Sequence, residues 1–196
     1  MKRTQNTATR KTGITAKPKA QPTAIKQPGS WHLSRTETER RLTDFEFGLE
    51  RLAQAYYRWK AACLAAVCDV PLTGDDVAVL NVVRMGDEPK RLSEIGQLLN
   101  RVDVPNLQYA TRKLVRAGLI ETEGSSSRKE TRYRATATGR SVTEAYAALR
   151  AATLPPMLEA LDGWAVKSEA TRVHLDLIAS LYAQAAQVAI TRRHQP

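Results

Sequence analysis

Between Asn106 and Arg116 the chain gathers side chains suited to the edges of base pairs: Asn106, Gln108, Tyr109, Arg112, Lys113 and Arg116. Asn and Gln pair bidentately with adenine and Arg and Lys with guanine, while Tyr offers a hydroxyl for phosphate and a ring edge for a thymine methyl. The spacing predicts a helix. Asp103 is placed to N-cap it, and Pro105 fits its first turn, where the missing N–H costs nothing. Leu107, Ala110, Thr111 and Leu114 recur at helical period and predict a core-facing stripe. At about 100° per residue the opposite side is centred on Tyr109, Arg112 and Arg116, with Asn106, Gln108 and Lys113 on its flanks. No acid lies between Asp103 and Glu121, so ion pairing within the helix does not account for these cations, and a plain solvated face is the weaker reading.

A second basic segment follows. Leu119-Ile120-Glu121-Thr122-Glu123 predicts a short strand, Gly124-Ser125-Ser126-Ser127 a flexible tip, and Thr131 to Thr136 a return strand alternating Tyr133 and Ala135 against Arg132 and Arg134. Arg128 and Lys129 sit beside the tip, where long cations enter a minor groove or clamp phosphates. Glu130 keeps an ordinary charged hairpin as the alternative. A turn, a basic-faced helix closing on Ala117-Gly118-Leu119-Ile120, and a hairpin ending in Thr136-Ala137-Thr138-Gly139 together form the order of a winged helix-turn-helix. The expected fold is mainly α with a small β-hairpin wing. The expected DNA-contacting set is Asn106, Gln108, Tyr109, Arg112, Lys113, Arg116, Arg128, Lys129 and Arg132.

From Thr36 to Ile190 the chain resembles the MarR family of bacterial transcription regulators. Leu114, Arg116, Gly118, Leu119 and Ile120 match the family's leucine, basic stretch and Gly-Leu-Ile at the end of the reading helix, followed by the wing and Thr136-x-x-Gly139. Ser127-Arg128-Lys129 stands where the family usually has Asp-Arg-Arg, and Tyr109 where many members have Arg. The resemblance implies a homodimer whose N- and C-terminal helices interlock, two reading helices set about one DNA turn apart, and control by a small organic effector.

The elements around the reader are helical. Thr36 to Cys68 is expected to form one helix of about 33 residues, roughly 50 Å long, with Leu42, Phe45, Leu49, Leu52, Tyr56, Trp59 and Cys63 at three-four spacing. Such a seam calls for another helix, in the bundle core or on a second subunit. Thr73, with Asp76 three residues on, predicts a capping box for a helix to Met85 that buries Val77, Leu80 and Val83. Leu92 to Leu99 is the first helix of the helix-turn-helix, with Leu92, Ile95, Leu98 and Leu99 inward. Thr136 caps a further helix, which Pro155-Pro156 is expected to interrupt or kink. A last helix, from about Ser168 to Ile190, presents Leu175, Ile178, Leu181, Tyr182, Ala185 and Val188. The organisation read from this is a basic disordered tail over 1–35, a domain over 36–192 and a C-terminal tail over 193–196. Within the domain, 36–68 and 168–190 are the dimerisation helices and 73–139 the DNA-reading core.

Of the formal net charge of +10, residues 1–30 supply +7 through Lys2, Arg3, Arg10, Lys11, Lys17, Lys19 and Lys26, with no acid among them. Such an arm adds sequence-independent DNA affinity or serves as a solubilising leader. No apolar run approaches the roughly 20 residues that cross a bilayer, and the N-terminus lacks a signal-peptide core, so the expected location is cytoplasmic, without membrane contact. Cys63 and Cys68, five apart on the expected helix, point about 140° from each other and read as packed cysteines ahead of a redox switch. Neither a metal site nor a cofactor is expected.

Catalysis is the poorest reading: His32, His174 and His194 lie apart, and no Gly-x-Ser-x-Gly, phosphate loop or His-Glu-x-x-His is present. The stronger rival to specific DNA binding is a non-enzymatic winged module that binds protein, or DNA without sequence preference. For an effector, Tyr56, Trp59, Tyr146 and Trp164 are the candidate lining of an apolar cleft, with Arg58 or Lys60 nearby for an organic anion. Aromatics at seam spacing also read as plain core.

Overall fold

The computed structural model describes residues 31–124 and 131–192. The chain divides into two compact units, 1–46 and 47–196. In the first, the opening turn of helix α1 (Glu37–Ala65) is fixed by a capping box: Thr36 N–H donates to Glu39 Oε2 (2.8 Å), and Glu39 N–H donates to Thr36 Oγ1 (3.2 Å).

The second unit holds the reader. Helix α2 (Gly74–Arg84) carries the expected capping box, with Thr73 N–H donating to Asp76 Oδ2 (2.9 Å) and Asp76 N–H to Thr73 Oγ1 (3.3 Å). It buries Val77, Val79, Leu80 and Val83. A 3-10 turn at Met85–Asp87 leads into strand β1 (Lys90–Arg91), helix α3 (Leu92–Leu98) and helix α4 (Val104–Arg116). Strands β2 (Ile120–Glu123) and β3 (Arg132–Ala135) form the wing, and the antiparallel sheet has the order β1-β3-β2, with Ile120 opposite Ala135 and Lys90 opposite Tyr133. Helices α5 (Ala137–Glu159) and α6 (Trp164–Arg192) complete the chain. The mainly α fold with a small β wing is thus as expected.

Two buried clusters position the reading helix. Val79, Leu80, Val83 and Ile95 meet Leu107, Ala110 and Leu114 from α4 and Leu119 and Ile120 from the wing root. Cys63, Leu64, Val77 and Tyr146 join α1, α2 and α5. The stripe Leu107, Ala110, Thr111 and Leu114 is buried as its spacing predicts.

The join between α4, wing and α5 explains the Gly118 and Thr136-x-x-Gly139 motifs. Gly118, at φ +68, donates its N–H to Val115 O (2.9 Å), and Leu119 N–H reaches back to Leu114 O (3.1 Å), a Schellman close that only a residue tolerant of the left-handed region makes cheaply. Thr136 then ties the hairpin shut: its N–H donates to Leu119 O (3.1 Å), its hydroxyl to Gly118 O (2.6 Å), and the same Oγ1 accepts from Gly139 N–H (3.0 Å) to cap α5. A Cβ on Gly139 would lie 1.9 Å from the Leu119 carbonyl oxygen, so this contact admits glycine alone.

Several expectations are corrected. Strand β1 is added, a two-residue pairing too short and too charged to leave a period-2 signal. Leu98 is exposed, because the two-turn α3 presents only Ile95 and Gly96 fully to the core. Helix α1 stops at Ala65, so Cys68 lies beyond it; both cysteines are free thiols. Helix α5 is not interrupted at Pro155 and Pro156; the two lost bonds fall at the carbonyls of exposed Ala151 and Ala152, which solvent can satisfy. Helix α6 begins four residues before Ser168, at Trp164, with no buried residue. Contrary to the reading that no run is long and apolar enough, α6 has a window of mean hydropathy 1.2 and, among the described residues, is the helix whose length and composition would permit a membrane crossing. The average hides its interruptions, since Asp176, Gln184 and Gln187 break up the apolar residues.

Candidate nucleic-acid interface

The turn into α4 is rigidly built. Arg101 N–H donates to Gly96 O (2.8 Å), and its guanidinium grips Asp103 at two points, Nε to Oδ1 (2.9 Å) and Nη2 to Oδ2 (2.6 Å), while Nη1 reaches Asp75 Oδ1 (3.2 Å). Asn106 Nδ2 donates to the same Asp103 carboxylate (3.0 Å). Asp103 therefore occupies the N-cap position without capping by its side chain; its carboxylate organises the turn instead. The Arg101 hydrogen bonds, followed by that of Asn106, hold the Asp103 carboxyl well below the usual carboxylate range. Asn106 is exposed, but with its amide turned back on Asp103 it presents to solvent less than its side chain suggests.

Along α4 the outward residues separate into two groups. Tyr109 is 59% exposed, and Arg112 and Arg116 are exposed with no ion-pair partner among the described residues. Gln108 is half-buried at the edge of this face. Lys113 is ion-paired: its Nζ lies 2.7 Å from Oδ2 of buried Asp76, leaving the side chain 27% exposed. The absence of acids within α4 concealed a partner 37 residues earlier on α2. Asp76 thus caps α2 and anchors α4 together, compensating its buried carboxylate with a partly exposed lysine.

The wing root is similarly self-engaged. Arg134 Nε donates to Glu121 Oε1 (2.7 Å) across the β2–β3 pair, and Arg132 Nη1 donates to Pro89 O (3.1 Å), tying β3 to the segment before β1. Arg132 is half-buried, and the structure gives it a positioning contact. Arg128 and Lys129 lie outside the described residues. Two residues that the sequence reading passed over stand beside the reading face: Val102 is 94% exposed and Val104, the first residue of α4, is 50% exposed.

A cleft of about 400 Å³ opens between α1, α2 and α5, lined by Tyr56, Trp59, Asn81, Arg84, Thr143, Glu144, Tyr146, Ala147 and Arg150. Three of the four expected aromatics meet here; Trp164, on α6, is not among the lining residues. The expected cations also differ. Lys60 is buried between the rings of Tyr56 (4.4 Å) and Tyr57 (4.1 Å), and burial pulls its pKa down. Arg84 and Arg150 take its place at the cleft, Arg84 paired to Asp87 (2.5 Å) and Glu144 (3.4 Å). Burial raises the Tyr146 hydroxyl and the neighbouring Cys63 thiol above their ordinary values, keeping both protonated at neutral pH.

Residues 72–139 match a family described as a winged helix DNA-binding domain, and this span holds α2 to β3 with the interface just described. The chain has the MarR-type fold. It superposes on AbfR of Staphylococcus epidermidis with a TM-score of 0.59 at 18% identity, over 76% of this chain and 96% of that one. On reduced AbfR bound to DNA the TM-score is 0.62, again at 18% identity, covering 77% and 99%. On Sco5413, a MarR family transcriptional regulator from Streptomyces coelicolor, it is 0.56 at 20% identity, covering 71% and 95%. No curated protein matches the chain. At these identities the MarR-type likeness concerns the fold.

Proposed function

We propose that the chain is a sequence-specific, double-stranded DNA-binding transcription regulator that acts in the cytoplasm as a homodimer and has no catalytic step. The observation that carries the reading is the outer face of α4, where Tyr109, Arg112 and Arg116 stand exposed while Arg101, Lys113 and Arg134 are engaged within the protein. An arginine pair left free on a helix whose opposite side is fully buried is suited to guanine edges, and Tyr109 to a phosphate or a thymine methyl. A winged helix DNA-binding domain and a structural likeness to AbfR bound to DNA support the same partner.

The homodimer is supported by α6, which has no buried residue and exposes Leu175, Leu177, Leu181, Val188 and Ile190. An exposed apolar surface of this size on one chain calls for a second chain. The surfaces proposed are residues 36–68 and 168–190, which would set two reading helices about one turn of DNA apart. The cleft under Tyr56, Trp59 and Tyr146 supports control by a small organic effector, with Arg150 as its exposed cation. Such a ligand acts only through different affinities for DNA-competent and DNA-incompetent arrangements. Selection of bound fragments from genomic DNA at two salt concentrations tests the reading: a recurrent two-fold motif is expected at both. Salt-sensitive binding with no recurrent motif would leave a non-specific or protein-binding winged module in its place.

A further inference from the structure

Val102 and Val104 are out of place for a water-soluble turn. Val102 is more exposed than any other large apolar side chain among the described residues, at 94%, and Val104 follows two residues later at 50%. Val102 forgoes nearly all, and Val104 about half, of the stabilisation that burying a valine side chain brings. Their placement is not loose. Val104 N–H donates to Val102 O (3.0 Å), Arg101 N–H to Gly96 O (2.8 Å), and Asp103 between the two valines is gripped by Arg101 and Asn106. With the backbone pinned and the χ1 of a β-branched side chain stiff, the methyl groups are held in fixed positions at the N-terminal end of the reading helix.

That end is where a reading helix in the major groove meets base edges. Within the turn itself the Arg101 guanidinium is committed to Asp103 and Asp75 and the Asn106 amide to Asp103, so its polar side chains are engaged while the valine methyls stay exposed. An apolar group in the major groove has one matching feature among the four base pairs, the C5-methyl of thymine. Resting on the DNA-binding reading above, we propose that Val102 and Val104 are specificity-determining residues that read thymine methyl groups in each half-site. Arg112 and Arg116, two and three turns further along α4, face different base pairs, so the half-site is read by methyl contact at one end and by hydrogen bonding at the other.

The test replaces thymine by deoxyuridine, which removes the methyl and keeps the base pair. Using the full chain and its selected duplex, each thymine is exchanged in turn and affinity measured by fluorescence anisotropy for the wild type, Val102→Ala and Val104→Ala. One or two thymines per half-site should each be worth roughly fourfold in affinity, the value of one buried methyl group. At those positions the cognate alanine variant should bind thymine and deoxyuridine duplexes equally. Both side chains are exposed, and equal melting temperatures will show that the variants fold. A preserved motif with no sensitivity to deoxyuridine, or a sensitivity undiminished in both variants, overturns the proposal while leaving DNA reading intact. Binding without any base preference would overturn both.

Discussion

Arg112 and Lys113 are adjacent in sequence, carry the same charge and do different jobs. Arg112 is exposed and unpaired among the described residues, whereas Lys113 compensates the carboxylate of buried Asp76. Arg112→Ala should leave the melting temperature unchanged and weaken a specific site by about 1–3 kcal/mol, relaxing preference at one position per half-site. Lys113→Ala should do the reverse. It leaves Asp76 with only its Thr73 bonds, which should cost about 1–3 kcal/mol of stability by chemical denaturation, with DNA affinity per folded molecule changed less than for Arg112→Ala. Matching losses of affinity in the two variants would mean that Lys113 leaves Asp76 for phosphate on binding. Asp103 supplies a pH signature. Its folded-state pKa lies below the unfolded value of about 3.9, so the stability it contributes is fully present above that pH and is lost as pH falls through it toward the folded value. Asp103→Asn should therefore show a shallower fall in melting temperature than the wild type on acidification from about pH 5 to pH 3.

Among the elements, the junction of α4, wing and α5 is the most tightly specified. Helix propensity favours alanine over glycine by about 1 kcal/mol. At Gly139 that preference is overridden, because a methyl 1.9 Å from the Leu119 carbonyl forces α5 off the wing root. Gly139→Ala should destabilise the protein by about 1–3 kcal/mol and weaken DNA binding along with it, as read by thermal melting and titration. This junction was legible in the sequence because its signals are local: a left-handed glycine, a capping threonine and a glycine three residues on. The buried stripe of α4 and the capping box of α2 were legible for the same reason. What escaped depended on partners distant in the chain or on averages. The partners of Lys113 and Arg132 were hidden, because Asp76 is on another helix and the acceptor of Arg132 is the backbone carbonyl of Pro89. The charged pair Lys90–Arg91 became a strand only because β3 offers an edge. Tyr56, Trp59 and Tyr146 do share a cleft, but their cations were misassigned, since a lysine on the right helix was turned between two rings.

For the whole molecule, the exposed length of α6 makes association state the decisive property. Sedimentation at micromolar concentration should give two subunits, and Leu181→Glu should shift the protein toward monomer and weaken operator binding together. A stable, well-folded monomer of the wild type would remove the dimer, and partition into lipid vesicles would assign the apolar stripe of α6 to a membrane instead. The cations at 128 and 129 are expected to contribute affinity more than selectivity. Replacing both by alanine should lower specific and non-specific affinity alike, with each lost phosphate contact reducing the log–log salt slope by about one.

The bonds that close the wing root join residues only 17 and 18 positions apart along the chain, and with the Thr136 cap they connect the end of α4 to the start of α5 without passing through either terminal helix. Native-state hydrogen exchange should therefore find the amides of Leu119, Thr136 and Gly139 opening together, as one cooperative unit. Their protection should persist at denaturant concentrations that already expose α6 amides to solvent, so that a molecule whose terminal helix has come undone would still carry an ordered reading head.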